Sequence, residues 1–296
     1  MPEKEYYIQR YCYEKDKKII ELEDRKIIII KKTRYDLEKV YQKLKDHNIT
    51  TILYPLAIDQ DNVYFPFVED KDFTSDEKAK KMVYDLAIWQ NKMTSHMPLD
   101  VDKIKKTYEY YKKEITTRTM YYKNMQAIVE TKVYMSPSEY VFIRHSSILF
   151  SAFAFCQTIL EKWYEEMMQK KNDRYVYCHG SFELNHFLTA SDGYFLHLEN
   201  AHEGSPTDDF ANFYRKNYQD VDMISTFHFY QLKYPFTPEE NLFFQLQIVL
   251  PEKIEIYPSN LATTKKLTYF YDYLIRTNEF ISAIYQKEQP VKKVTN

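Results

Sequence analysis

Five residues between positions 186 and 203 have side chains that could bind a metal ion: His186, His197, Glu199, His202 and Glu203. Imidazole nitrogens and carboxylate oxygens are ligands of zinc, so this group is one candidate metal site. Zinc sites with a strong sequence signature contain closely spaced ligand pairs, and no such pair accompanies the group. The alternative interpretation is that these histidines lie on the surface of a β-hairpin.

Two motifs cover the same region, CHGSFELNHFL at positions 178–188 and FLHLENAHEGSPTDDFANFYR at positions 195–215. They resemble the catalytic region of the aminoglycoside phosphotransferase and choline kinase-like families, which have a protein-kinase-like fold. In those families the first motif runs His-Gly-Asp, four residues and Asn, and the second combines Ile-Asp-Phe with Asp-Pro-x-x-Asp-Leu-Ala. The positions that match are His179, Gly180, Leu188, Gly204, Pro206, Asp209 and Ala211.

The segment YPFTPEENLFFQLQIVLPEKI and the final tyrosine-rich helix are most similar to the spore-coat CotS branch of this superfamily. The resemblance also implies structural roles for His179, Gly180 and Asp209. In the superfamily this aspartate lies at the start of the following helix and anchors the backbone of the catalytic loop. We therefore expect these three residues to support the loop rather than to react.

The three positions that carry the chemistry of the superfamily are changed. The resemblance places Ser181 at the position of the base, and His186 and Glu199 at the positions of the Mg²⁺ ligands. A serine hydroxyl is too weak a proton acceptor to be a base near neutral pH. Mg²⁺ prefers oxygen, whereas imidazole suits Zn or Cu. Glu199 remains as a candidate metal ligand, and Glu183 or Asp208 is either a replacement base or an exposed charge.

The resemblance also implies a nucleotide site. Members of the superfamily place a lysine on the third strand, where it contacts phosphates and pairs with a glutamate of the next helix. Lys31 or Lys32 could be that lysine, because side chains alternate across a strand and one of the two must face the site. Glu38 is the candidate partner. The alternative is that both lysines end an apolar strand in solvent and that Glu38 is a surface charge.

The composition is that of an ordinary globular chain. Its 296 residues are 44% hydrophobic and 28% charged, and 41 basic and 43 acidic side chains give a net charge of -2. This balance disfavours a nucleic-acid or anionic-membrane partner, which proteins usually meet with a strong positive excess. Only 3 glycines occur, and the first is Gly180. Neither a glycine-rich phosphate loop nor a Rossmann fingerprint can therefore be formed.

The sequence contains no signal for export or membrane insertion. Its start lacks the apolar stretch of a signal peptide. The most apolar segment, residues 146–160, is shorter than the roughly 20 residues that span a bilayer, so we expect a core helix there. The cysteines Cys12, Cys156 and Cys178 show no CxxC spacing, and a disulfide framework is not indicated. A cytoplasmic location is the expectation.

The first 68 residues predict a small β-rich domain. Strand-like runs occupy YYIQRYCY, KKIIELE and KIIIIKK, and two more occupy TILYPLAI and NVYFPFV. Between these groups a helix is predicted over Arg34–Asp46, with Thr33 as its N-cap. The acidic segment EDKDF is the predicted hinge to a larger, mainly helical domain over residues 69–296. The expected fold class is therefore α+β, a bilobal protein-kinase-like fold with a β-hairpin inside the helical domain.

Helical periodicity dominates after residue 74. A helix is predicted over Ser75–Met93 with Met82, Leu86 and Trp89 facing inward, and a long helix or helix pair over Asp102–Lys132. The tyrosine-rich segments TYEYYKKEI and TMYYKNM of that second region resemble surfaces that bind single strands or sugars. Amphipathic aromatic side chains also pack well against another helix or a protein partner, and we favour this second use.

A further helix is expected to start at Ser136 and Pro137, because proline is preferred in the first helical turn. The runs RYVYCHG, NHFLTA and YFLHLEN then read as short strands, with SDG as a tight turn between the last two. Beyond Pro206 the sequence returns to helices.

Three functional hypotheses follow. The first is a catalytically degenerate kinase-like protein that acts through a protein partner, needs no cofactor and, as the CotS resemblance implies, belongs to the spore coat. The second is an active phosphotransferase that uses ATP and Mg²⁺ to modify a small molecule with rearranged catalytic residues. The third is a protein that binds a nucleotide or metabolite without turnover.

Overall fold

The computed structural model describes residues 10–14, 17–21, 26–190, 193–257 and 261–285. Residues 6–9 of the first predicted strand, and Ser191 and Asp192 of the predicted turn, lie outside these described residues. The chain divides into two compact units. The first contains the residues up to 95 together with 175–221 and 226–235, and the second contains residues 96–174, 222–225 and those from 236 onward. The domain boundary expected after residue 68 stays a prediction.

A five-stranded antiparallel sheet lies in the first unit, in the spatial order β1-β2-β3-β5-β4. Its strands are β1 (Arg10–Glu14), β2 (Lys17–Glu21), β3 (Lys26–Lys31), β4 (Ala57–Ile58) and β5 (Asn62–Pro66). The isoleucine run of β3 favours a strand because β-branched side chains fit a pleated surface. Ile28 and Ile30 are buried and lie opposite Phe65 and Val63 of β5. The five predicted strands are confirmed.

Strand β4 is shorter than predicted, because part of the run TILYPLAI bonds elsewhere. Phe195 donates its backbone N–H to the carbonyl of Thr51 at 2.9 Å, and Leu53 donates its own to the carbonyl of Phe195 at 3.2 Å. Backbone groups that are satisfied in this way cannot also extend the ladder with β5. Residues 51–58 therefore form backbone hydrogen bonds both with β5 of the five-stranded sheet and with Phe195.

The predicted helix after β3 is α1 (Leu37–Asp46). Its buried positions, which recur at helical spacing as predicted, are Leu37, Val40, Tyr41 and Leu44. The prediction of Thr33 as the N-cap is wrong, since the N-cap is Asp36. The Asp36 carboxylate makes no capping bond and instead accepts from Arg34 Nε at 2.6 Å.

Helix α2 (Ser75–Lys92) begins with a capping box. The Thr74 hydroxyl accepts the N–H of Glu77 at 3.3 Å, and the Glu77 carboxylate accepts the N–H of Thr74 at 3.0 Å. Two helix-end donors are thus satisfied reciprocally. The predicted inward side chains, all fully buried, are Met82, Leu86 and Trp89. A short strand, β6 (Ser95–Pro98), follows.

The predicted hairpin region contains more strands than expected. They are β7 (Asn172–Cys178), β8 (Phe187–Leu188), β9 (Tyr194–Phe195) and β10 (His202–Gly204). Strand β8 pairs with β9, and β10 pairs antiparallel with the end of β7, so that His202 lies directly opposite Cys178. The sequence HEG of β10 has little strand propensity, and its pairing with β7 holds it extended. Helices α5 (Asp208–Asn217) and α6 (Met223–Gln231) follow.

The second unit is mainly helical. Its long helices are α3 (Val101–Glu130), α4 (Pro137–Met168), α7 (Pro238–Val249) and α8 (Leu261–Tyr285). Helix α3 is continuous, which decides between the single helix and the helix pair. Helix α4 starts as predicted, with Ser136 as N-cap and Pro137 in the first turn. The apolar residues 146–160 lie inside α4 and bury Leu149, Phe153 and Cys156, as expected of a core helix.

Tyrosines of α3 pack inside the second unit. Tyr122 is buried, and its hydroxyl donates to the Glu252 carbonyl at 2.7 Å and accepts the Ile254 N–H at 2.8 Å. Tyr111 packs edge-on against Phe243, with ring centroids 5.6 Å apart. A buried tyrosine needs a partner for its hydroxyl, and here backbone groups provide it. These contacts support the packing role that was preferred for the tyrosine-rich segments.

The structure confirms the α+β class, with a small antiparallel sheet region and a larger helical region. Across the described residues, none of the helices combines the length and the hydropathy that crossing a bilayer requires.

Candidate functional site at the loop after β7

One buried carboxylate holds the loop after β7. Asp209, in the first turn of α5, accepts the backbone N–H of His179 at 2.8 Å and that of Gly180 at 2.9 Å. Gly180 has a φ of +79°, and a Cβ there would lie 2.0 Å from the carbonyl oxygen of Asn200. A side chain at this position would therefore meet both backbone strain and a direct clash. This is the arrangement that structural roles for His179, Gly180 and Asp209 require.

The His179 ring is fully buried and bonded on both nitrogens. The Ser181 N–H donates to Nδ1 at 3.2 Å, so the ring proton lies on Nε2 and is donated to the Leu196 carbonyl at 2.7 Å. Burial lowers the pKa of His179 to about 3, and the nearby rings of other histidines also oppose its protonation. Burial raises the pKa of Asp209 to about 6, although the two backbone N–H groups lower it.

The titration of His179 should appear in the pH dependence of folding. Its pKa is about 3 in the folded protein and about 6.5 when unfolded, so the unfolded state binds the proton first as the pH falls. The stability from neutral His179 is complete above about pH 6.5 and falls by about 1.4 kcal/mol per pH unit below it. The difference in free energy of unfolding between wild type and His179→Gln should narrow by about 2 kcal/mol from about pH 6.5 to about pH 5.

Asp209 titrates in the opposite sense. Its folded pKa of about 6 lies above the ordinary value of 3.8, so its contribution to stability is complete below 3.8 and is lost as the pH rises through 6. Because Asp209 is present in both proteins, its contribution largely cancels in the comparison. If the difference in free energy of unfolding between wild type and His179→Gln stays constant from about pH 6.5 to about pH 5, His179 is not neutral and buried in the folded protein.

The three positions that the resemblance aligns with catalytic residues lie in one cluster. His186 Nδ1 is 2.7 Å from the Ser181 carbonyl oxygen, and the Asn200 amide donates to the Ser181 hydroxyl oxygen at 2.7 Å. The His186 and His197 rings have centroids 4.4 Å apart, and His197 Nδ1 is 3.8 Å from Glu199 Oε2. Ser181, His186 and Glu199 are thus brought together with His197, a member of the candidate zinc group, and with Asn200, a contact that the sequence did not reveal.

Arg34 holds the turn that carries Glu199. Its guanidinium donates to the Ala201 carbonyl at 2.6 Å and to the Glu199 carbonyl at 3.4 Å, and it pairs with Asp36. The sequence contains only the local signal, an arginine two residues before an aspartate. The two carbonyl groups lie more than 160 residues further along the chain, so sequence reasoning missed this contact.

These residues do not fit Mg²⁺ in the manner of the superfamily. Mg²⁺ needs near-octahedral oxygen ligands, and Glu199 is the one carboxylate among the three changed positions. The Ser181 hydroxyl is already bonded to Asn200, and His186 offers a nitrogen. The cluster can donate and accept hydrogen bonds, but it lacks the set of oxygens that holds Mg²⁺ on ATP phosphates.

One of the two candidate lysines contacts the candidate glutamate of the implied nucleotide site. Lys32 Nζ lies 2.7 Å from Glu38 Oε1 and 3.2 Å from the Asp59 carbonyl, and the Lys32 side chain is mostly buried. Lys31 is exposed at the end of β3 and pairs across the sheet with Asn62. Of the two candidate lysines, Lys32 therefore contacts Glu38. Nucleotide contact by Lys31, Lys32 or Glu38 stays a prediction.

The candidate replacement bases have other contacts. Glu183 pairs with Lys216, and Asp208 Oδ2 accepts the backbone N–H of Ser205 at 2.9 Å. Both carboxylates therefore already have partners within the protein. A catalytic role for either residue stays a prediction.

The five residues of the candidate zinc group are divided between two places. His186, His197 and Glu199 lie in the cluster around Ser181. His202 Nδ1 instead contacts the Asn200 carbonyl at 2.7 Å, and Glu203 pairs with Lys43 at 2.6 Å. The predicted group of five therefore does not form one metal site.

The predicted hinge segment EDKDF is attached to the end of β8. Asp70 Oδ1 accepts the backbone N–H of Thr189 at 2.6 Å and its hydroxyl at 2.5 Å. Lys71 donates its backbone N–H to the Thr189 carbonyl at 2.9 Å. Thr189 is buried, so these bonds tie the segment to the hairpin region.

Comparison with solved structures identifies the fold. The chain matches an aminoglycoside phosphotransferase from Alicyclobacillus acidocaldarius with a TM-score of 0.69 and 10% identity, over 95% of this chain and 92% of that one. The chain has the fold of the aminoglycoside phosphotransferases. The AMP-bound complex of a spectinomycin phosphotransferase also matches, with a TM-score of 0.51 and 12% identity, over 96% of this chain and 90% of that one. No protein-family model and no curated protein sequence matches the chain.

At these identities the comparison shows the fold alone. The kinase-like fold that the motifs implied is confirmed. Membership of the CotS branch, and loss of catalysis through the changed positions, stay predictions.

Proposed function

We propose that this chain is a catalytically degenerate member of the kinase-like fold, which acts by binding another protein and does not transfer phosphate. One observation carries the proposal: the loop keeps its structural support while its chemical positions are changed. His179 and Gly180 are bonded to Asp209, whereas serine and histidine replace the expected base and one Mg²⁺ ligand.

The changes remove most of the chemistry that phosphate transfer needs. The reaction depends on positioning and on charge stabilisation by metal-bound oxygens. Ser181 cannot accept a proton as a carboxylate does, and its hydroxyl is bonded to Asn200. His186 points Nδ1 at the Ser181 carbonyl. Loss of two of three such groups is expected to reduce the rate by many powers of ten.

Exposed apolar side chains support a protein partner. In the second unit, Met120 and Tyr110 of α3 are more than half exposed, and Val133 and Tyr134 after its end are 87% and 89% exposed. Aromatic residues and methionine are enriched in protein interfaces. A spore-coat location, implied by the CotS resemblance, is part of this proposal.

An active ATP-dependent phosphotransferase is the second candidate. It is favoured by the contact between Lys32 and Glu38, the pair that would hold nucleotide phosphates, and by the carboxylate that Glu199 retains. ATP and Mg²⁺ would then be required, and Glu183 or Asp208 would act as the base.

Restoring the superfamily residues should create binding that the wild type lacks. We expect ATP with Mg²⁺ to leave the unfolding temperature of the wild type unchanged. The triple variant Ser181→Asp, His186→Asn, Glu199→Asp should gain Mg²⁺-dependent stabilisation of about 2.7 kcal/mol at a ligand concentration of about one hundred times the dissociation constant. Differential scanning fluorimetry with ATP, with and without Mg²⁺, measures both.

The matched control is Glu203→Asp, at an exposed glutamate nearby. It shortens the side chain by one methylene, as Glu199→Asp does, and should not bind ATP with Mg²⁺. A Mg²⁺-dependent shift of the wild type that Glu199→Ala abolishes would contradict the proposal and favour the active enzyme. A wild-type shift with ATP alone would favour binding without turnover.

A further inference from the structure

Three side chains of different chemistry surround one point near β10. Cys178 ends β7, His202 lies opposite it on β10, and Asp208 begins α5. One ligand atom from each residue, a sulfur, a ring nitrogen and a carboxylate oxygen, lies within 4.8 Å of the other two. Within the described residues this is the group of three whose geometry suits a metal ion.

Gly204 lies beside all three ligand atoms and places no side chain between them. A Cβ on Gly204 would lie 2.8 Å from Asp208 Oδ2, 3.0 Å from Cys178 Sγ and 3.2 Å from His202 Nε2. The volume that glycine vacates is therefore bordered by all three ligand atoms. Ligand atoms on one tetrahedral zinc ion lie roughly 3.3–3.8 Å apart, so these three atoms, which lie within 4.8 Å of one another, would have to approach each other by up to about 1 Å.

Each of the three residues also contacts a backbone group, of Asn200 or Ser205, and these contacts fix the direction of its ligand atom. His202 Nδ1 lies 2.7 Å from the Asn200 carbonyl, which places the ring proton on Nδ1 and leaves the Nε2 lone pair facing the other two residues. Asp208 Oδ2 accepts the Ser205 N–H at 2.9 Å, and the Cys178 thiol lies 3.4 Å from the Ser205 carbonyl. Such outer hydrogen bonds are typical of histidines and carboxylates that ligate metals, whereas the Cys178 thiol would lose its bond to the Ser205 carbonyl when it loses its proton.

We propose that Cys178, His202 and Asp208 bind a Zn²⁺ ion, with water as the fourth ligand. A thiolate, an imidazole and a carboxylate together suit zinc, whereas Mg²⁺ and Ca²⁺ prefer oxygen alone. The exposed side of His202 gives the ion a path from solvent. Bound there, the ion connects β7, β10 and α5, the elements on both sides of the loop at Gly180. The inference is independent of the proposed function.

Zinc must displace the proton of the buried thiol. Burial raises the pKa of Cys178, and the carboxylates of Asp209 and Asp208 add to this effect. In the bound state the thiol proton leaves to solvent and the sulfur lone pair forms the bond to zinc. Affinity should therefore increase with pH, with one proton released to the buffer for each ion bound.

Metal titration of the full chain tests the site. Protein freed of metal with EDTA and then exchanged into buffer is titrated with Zn²⁺ by calorimetry and with Co²⁺ by absorption spectroscopy. We expect one ion per chain and a thiolate-to-cobalt charge-transfer band in the near ultraviolet. His202→Gln and Cys178→Ala should each weaken Zn²⁺ binding by at least about tenfold, and Cys178→Ala should also remove the band.

Two further variants separate this site from incidental binding. His47→Gln is the matched control, because His47 is also exposed and its Nδ1 also contacts a backbone carbonyl, that of Lys43, at 2.8 Å. It should bind zinc as the wild type does. Gly204→Ala keeps all three ligands but fills the space between them, and it should lose binding. Should Gly204→Ala fail to fold, the exposed His202→Gln still decides the question.

Absence of stoichiometric zinc binding would overturn the proposal. Binding that His202→Gln and Cys178→Ala leave unchanged would also overturn it, because the ion would then lie elsewhere. Equal weakening by His47→Gln and His202→Gln would indicate surface histidines and no built site.

Discussion

Replacing Gly180 with alanine is expected to lower the free energy of unfolding by at least about 4 kcal/mol. A non-glycine residue in the left-handed region costs about 1–2 kcal/mol by itself, and Gly180 has a φ of +79°. The new Cβ would also lie 2.0 Å from the Asn200 carbonyl oxygen. That oxygen cannot move freely, because it also contacts His202 Nδ1 at 2.7 Å. Urea denaturation followed by circular dichroism measures the loss.

Gly193→Ala is the matched control for this prediction. Gly193 also has a positive φ, of +50°, but the three atoms nearest to its Cβ would be side-chain atoms of Phe187, Lys81 and Asp85. Side chains yield more easily than a hydrogen-bonded backbone, so we expect a smaller loss, about 2 kcal/mol. Equal losses in the two variants would show that φ alone matters and that the contact with Asn200 does not.

Asp209→Ala should cost about 4 kcal/mol of folding free energy. The substitution leaves the backbone N–H groups of His179 and Gly180 without their acceptor inside the protein. A buried donor without a partner costs about 1–3 kcal/mol, and bonds to a charged acceptor are at the stronger end of the range. Burial raises the pKa of Asp209 to about 6, so its contribution to stability falls as the pH rises through 6, and the loss should be larger at pH 5 than near neutral pH.

Its neighbour Asp208 is the control. Asp208→Ala removes the same charge from the same turn of α5, but the Ser205 N–H that Asp208 accepts lies closer to solvent. We expect a loss of about 1 kcal/mol. Both variants should be unfolded with EDTA present, which removes any contribution of bound metal. Similar losses for the two aspartates would contradict the anchoring role of Asp209.

Large effects at Gly180 and Asp209 would mean that the loop is built for stability whether or not it performs chemistry. The residues at positions 181, 186 and 199 could then change without loss of this anchor, because Asp209 accepts the backbone N–H groups of His179 and Gly180 and not a group of those side chains. This separation of structural support from chemistry is the physical basis of the proposed function.

Local patterns were sufficient for most of the fold. The isoleucine run of β3, the Ser136-Pro137 pair before α4 and the spacing of Met82, Leu86 and Trp89 each predicted an element that the structure contains. These signals succeed because strand pleating, helix periodicity and end capping depend on neighbours within a few residues. The motif around His179 also predicted the kinase-like fold.

Predictions failed where distant partners compete for a residue. Thr33 had the chemistry of an N-cap, but α1 starts after Asp36, which pairs with Arg34. Strand β10 was missed because its pairing with β7 outweighs the weak propensity of HEG. The zinc candidates were chosen by closeness along the chain, whereas His202 meets Cys178 across a strand pair.

Residue types alone were enough to predict the fold class and the motif that holds the loop after β7, because both depend on short spacings and on the chemistry of single side chains. Folding in three dimensions decided which lysine contacts Glu38, which carbonyls Arg34 holds and which three ligands surround Gly204. Those contacts join segments far apart in the chain, and their distances follow from sheet register and helix packing, which no short pattern of residues encodes.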